Sequence, residues 1–93
     1  MAVNIFIPPE LKDIEGALKR FVDAMVFKLR KNSHKGRWQD LDLDRTLKLL
    51  EREVDELREA IAEGNDVEIL LESSDCANFA MIAAALAVEG KRP

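Results

Sequence analysis

Four carboxylates stand at matched spacing in this chain: Glu53 and Glu56 are three residues apart, and so are Glu72 and Asp75. Residues three apart share one face of a helix, so each pair offers two oxygen ligands side by side. Glu72 and Asp75 also open a stripe that Phe79, Ile82 and Leu86 continue at alternating four- and three-residue steps. These acids therefore occupy the face that packs inward. Glu53 and Glu56 lie one position before Val54 and Leu57, at the border of an apolar seam. A carboxylate withdrawn from water must meet a cation or take up a proton, so a positive charge belongs between the two pairs. Oxygen ligands without clustered cysteine or histidine suit a hard cation, magnesium or manganese, rather than zinc. A di-iron bundle site would need inward Glu-x-x-His motifs, and the single histidine, His34, falls in a loop. Magnesium held by carboxylates keeps positions open for water and phosphate oxygens, and it lowers the pKa of a bound water.

The elements that must position these groups are all helical. Pro8 and Pro9 belong at a helix start, so the first helix is expected from about Pro9 or Glu10. Leu11, Ile14, Leu18, Phe21, Met25 and Leu29 carry its apolar stripe to about Arg30. Residues 32–42 lose the pattern and form a loop longer than most helix connections. Asp42 or Asp44 can cap a second helix, whose stripe Leu47, Leu50, Val54, Leu57 and Ile61 ends at Gly64. Asn65 or Asp66 caps a third, running to about Val88. The short turn between helices two and three predicts an antiparallel hairpin, with the carboxylate pairs facing each other and helix one packed across it. No strand pattern or repeat competes with this all-α reading.

Ninety-three residues make a single domain, 1–93, with an N-terminal arm at 1–8 and a polar tail at 89–93. A helical domain this small often recruits copies of itself. Cys76 is the only cysteine, so no intrachain disulfide is expected. The N-terminus lacks a basic region followed by a long apolar stretch, and the uncharged run Cys76–Val88 is too short to span a bilayer, so a cytoplasmic protein is expected. The net charge of −4 argues against gripping a nucleic-acid backbone. Charge is unevenly spread, however: Lys28, Arg30, Lys31, Lys35 and Arg37 form a basic run ahead of the acidic stretch 40–75. A basic loop facing acids suits a small phosphorylated ligand bridged by a metal.

The segment Arg52-Glu-Val-Asp-Glu-Leu57, with fifteen residues between its Glu56 and the following Glu72-Ser-Ser-Asp75, resembles the signature E-E-x-x-E … E-x-x-D of the MazG-like, all-alpha nucleoside triphosphate pyrophosphohydrolases. The likeness runs from about Lys35 to Ala85. It implies metal binding by Glu53, Glu56, Glu72 and Asp75, with Glu53 and Glu56 catalytic, in magnesium-dependent hydrolysis of a (deoxy)nucleoside triphosphate to monophosphate and pyrophosphate. The family's first acid is Arg52 here, with Glu51 one residue earlier. The resemblance also implies a homodimer or homotetramer whose helices complete a four-helix-type bundle. It further implies that a partner protomer supplies the helix that longer relatives carry beyond this chain's last.

Around this motif, Lys31, His34, Lys35 and Arg37 can neutralise a triphosphate or form a solvated basic loop. Trp38 can stack on a nucleobase or plug the start of helix two. Phe79 can wall a base pocket or serve as core, and Asn78 can bond a ligand or a backbone group. A second function class stays open: a helical oligomerisation or interaction module that keeps the fold without turnover. Phosphoribosyl-ATP or another phosphoanhydride is a further substrate possibility.

Overall fold

The computed structural model describes residues 4–33, 36 and 38–90, and these are all helix, turn or irregular, with no strand among them. Three α-helices dominate: α1 (Glu15–Lys31), α2 (Leu43–Glu63) and α3 (Asp66–Val88). The caps follow from the residue types at the ends. Asp42 holds extended backbone, and its carboxylate accepts the Arg45 N–H at 2.7 Å. Thr46, fully enclosed, donates its hydroxyl to the Asp42 carbonyl at 2.7 Å. At the far end Gly64 takes φ +69°, where a side chain would be strained, and its N–H closes on the Ala60 and Ile61 carbonyls. Asn65 then caps α3 by accepting the Glu68 N–H at 3.1 Å.

The first expected helix is divided. Pro9–Ile14 forms 3-10 turns, Leu11 leaves helical geometry at φ −111° and ψ 16°, and α1 begins only at Glu15. Ile14 occupies the N-cap position of α1 and has no side-chain oxygen to anchor a turn. Leu11 and Ile14 are consequently exposed rather than part of a buried stripe.

Helix α3 is the common neighbour. It packs along α2 and along α1, whereas α1 and α2 do not form a substantial contact with each other. Glu56 and Glu72 line the same groove as Ala60 and Glu68, so the pairing order runs opposite ways on α2 and α3 and the hairpin is antiparallel. The same reversal relates α1 to α3: Lys28 meets Asp75, and one turn away the Met25 carbonyl meets Asn78. The molecule is thus a layer with α3 in the middle. Its buried apolar residues, among those described, are Ile7, Ala24, Ala60, Ile82 and Leu86, joined by the polar Thr46, Ser74 and Asn78.

By length and composition alone α3 could cross a membrane, its most apolar stretch having a mean hydropathy of 1.4. It nevertheless carries Glu72 and Asp75 and packs against both other helices.

Candidate metal centre

The hairpin brings three of the four carboxylates together. One oxygen from each of Glu53, Glu56 and Glu72 lies within 4.8 Å of the other two. Glu53 and Glu56 come from adjacent turns of α2, and Glu72 reaches them from the facing turn of α3. Oε2 of Glu53 and Oε2 of Glu72 are buried without a hydrogen-bond partner. Neighbouring carboxylates have no donor to offer one another unless one carries a proton, so in the fully ionised state these atoms are left without a partner.

The electrostatics express the same deficit. Burial, then the hydrogen bonding and charge of Glu56 and the charge of Asp75, push the Glu53 carboxyl up to about 8. Glu72 is also raised, by burial first and then by Glu56. Glu56, more open to solvent, is held below its ordinary value, chiefly by its hydrogen bond with Glu53, with Arg52 and Lys28 adding to the effect. The metal-free cluster therefore retains a proton centred on Glu53.

The residues present fit a divalent cation. A magnesium ion takes oxygens at about 2.0–2.1 Å in octahedral array, which sets ligand oxygens roughly 3 to 4 Å apart. The three glutamate oxygens, within 4.8 Å of one another, need only a contraction to meet it, and the ion would supply the positive charge that the buried carboxylates lack. The donor set is hard and lacks nitrogen and sulfur, as magnesium or manganese prefers.

Asp75 stands beside this group and is engaged differently. Its Oδ2 accepts from the Lys28 Nζ at 3.1 Å, and both side chains are only 13% exposed. Its charge still bears on Glu53 and Glu72. Asn78 donates from Nδ2 to the Met25 carbonyl at 3.1 Å, which ties α3 to α1, while its Oδ1 is buried without a partner. Phe79 is half-buried on α3, just past Asn78. Trp38 is half-buried in the short 3-10 turn Trp38–Asp40, and Lys31 is exposed at the end of α1. His34, Lys35 and Arg37 lie outside the described residues.

Lys28 is the residue that the motif reading left aside. Burial opposes its charge, but the hydrogen bond and charge of Asp75, reinforced by Glu72 and Glu53, hold its pKa above the ordinary lysine value. A signal was present in the sequence: Phe21, Met25 and Lys28 continue the stripe of α1 at four- and three-residue steps. A cation on one apolar face is the natural complement of acids on another. Cys76 adjoins the same cluster, and burial together with Glu53, Asp75 and Glu72 pushes its thiol pKa up, so it is a poor nucleophile.

Neither family models nor curated proteins nor solved structures give a match to this chain.

Proposed function

We propose that this protein is a magnesium-dependent nucleoside triphosphate pyrophosphohydrolase, cleaving a (deoxy)nucleoside triphosphate to its monophosphate and pyrophosphate in the cytoplasm. The observation that carries this reading is the pair of orphaned oxygens, on Glu53 and Glu72, inside a three-glutamate group spanning two helices. The resemblance of residues 52–75 to the MazG-like signature supplies the reaction class.

Glu53, Glu56, Glu72 and Asp75 would hold the ion, with manganese as a substitute. When bound, it orients the phosphoanhydride, neutralises developing charge and activates water. The chain's own groups divide the remaining work. Glu56 is the member open to solvent, which places it to accept a proton from the attacking water. Glu53 and Glu72, anchored at the helix interface, keep the site rigid. Lys31, with His34 and Lys35 after it, offers positive charge to the triphosphate, while Trp38 and Phe79 present aromatic faces for a base. Asn78 serves first to hold α1 against α3.

The functional unit in this reading is a homodimer or homotetramer. From Phe79 to Val88 α3 carries no polar residue, so this stretch is apolar around its circumference, as suits a helix enclosed on all sides. Here α1 and α2 cover only part of it, and Met81 and Val88 remain exposed. Phe27 on α1 and Ile61 on α2 are also more than half exposed, at 54% and 58%. A second copy that covers these residues completes the bundle.

The competing reading, an assembly module without turnover, draws on the Lys28–Asp75 pair and on Arg52. One experiment separates the two. Purified protein is incubated with each common ribo- and deoxyribonucleoside triphosphate, with and without magnesium, while pyrophosphate and monophosphate are measured. The hydrolase reading expects magnesium-dependent release that Glu72→Gln abolishes. A folded oligomer that releases nothing from any triphosphate favours the assembly module.

A further inference from the structure

We propose that Lys28 is a built-in competitor for the divalent cation: its ammonium group holds Asp75, and cation entry displaces it. The inference rests on the metal centre proposed above and adds a residue that gates it.

Lys28 and Asp75 form the one ion pair between different helices among the described residues. Both partners are largely enclosed, at 13% exposure each, so water screens their attraction less than it would at the surface. The ammonium also feels Glu72 and Glu53. It is thus the cation that the carboxylate cluster already possesses, and a divalent ion that arrives at Asp75 meets its charge at Oδ2. The two positive charges cannot share Asp75 at close range without strong repulsion.

Lysine fits this part better than arginine would. Its charge is a compact point on a flexible four-carbon stem, so the head group can withdraw without movement of the helix. Helix α1 keeps a second attachment one turn away, where Asn78 donates to the Met25 carbonyl. Lys28 can therefore leave Asp75 while α1 stays docked, and the released ammonium becomes accessible to solvent.

Titration calorimetry of magnesium into the full-length, metal-free protein tests this. Lys28→Met keeps the apolar stem and removes the charge, and it should bind magnesium about tenfold or more tightly than the parent, the scale of one lost competing charge. Lys28→Arg, which keeps the charge, should bind no more tightly. A second readout uses the parent protein alone: reductive methylation, mapped by peptide mass spectrometry, should find Lys28 protected relative to the exposed Lys12 and Lys19, and saturating magnesium should unmask it. If Lys28→Met does not fold, the labelling result decides. Equal magnesium affinity in parent and Lys28→Met, or a Lys28 that magnesium leaves protected, overturns the competitor role and leaves the metal centre standing. No magnesium binding at millimolar concentration by either protein overturns both.

Discussion

At the scale of single residues, the metal-free site is short of positive charge, and its response to pH has a definite sign. Glu53 has a folded pKa of about 8 against an ordinary 4.5, so the native state keeps a proton that the unfolded chain releases. Stability from this group is full below pH 4.5 and is lost as the pH climbs through about 8. Glu72 acts in the same direction and Glu56 against it. Urea midpoints in chelator should therefore fall between pH 5 and 8, and saturating magnesium should flatten the decline. A midpoint that rises over this range in chelator would contradict the protonated cluster. Glu53→Gln copies the neutral state, so in chelator near pH 8 it should melt at a higher temperature than the parent and gain nothing from magnesium. The convergence of Glu53, Glu56 and Glu72 was legible because helical spacing and a two-residue turn leave little freedom. The partner of Asp75 was not legible: Lys28 lies on another helix, and sequence spacing does not fix which turn of α1 meets which turn of α3.

At the scale of elements, local chemistry governs the hairpin. Gly64→Ala places a Cβ in open space, with nothing within 4 Å, so its cost is that of the left-handed backbone alone, about 1 kcal/mol. Asp42→Ala removes the carboxylate that takes the Arg45 N–H and should cost about 1 kcal/mol. Chemical denaturation of each variant checks both values, and the pair should add, because the two caps lie at opposite ends of α2. These boundaries could be read from residue type, since Asp42, Gly64 and Asn65 each meet a specific unsatisfied backbone group. The Pro9–Ile14 segment could not. Its apolar spacing fits an α-helix, but its 3-10 geometry depends on how the chain meets α1, and periodicity is blind to that.

At the scale of the whole molecule, the small apolar core must be supplemented. Five buried apolar side chains among the described residues are few for a stable domain, while Phe27, Ile61, Met81 and Val88 stay exposed. Self-association that covers them would make the melting temperature rise with protein concentration. Sedimentation velocity should report a dimer or tetramer, and Ile61→Lys should lower the association and remove the concentration dependence. A parent protein that sediments as a monomer at all concentrations would refute the covered-face reading. Helical class and helix count were readable from the chain; the layer with α3 between two helices was not, because amphipathic stripes do not name their partners.

The central place of α3 also sets an order of events in time. Its pairing with α2 needs only the Gly64–Asn65 turn to close, whereas its bond to α1 joins residues 53 positions apart. Closing the larger loop costs more chain entropy before any contact compensates it. The hairpin should therefore assemble first and carry all four carboxylates before α1 arrives. In the finished protein the reverse holds: α1 can lift away while the hairpin survives, so native-state hydrogen exchange should show α1 amides opening at lower free energy than those of α2 and α3. The acidic cluster is built into the early, durable part of the fold, and the lysine that neutralises it belongs to the part that arrives last and leaves first.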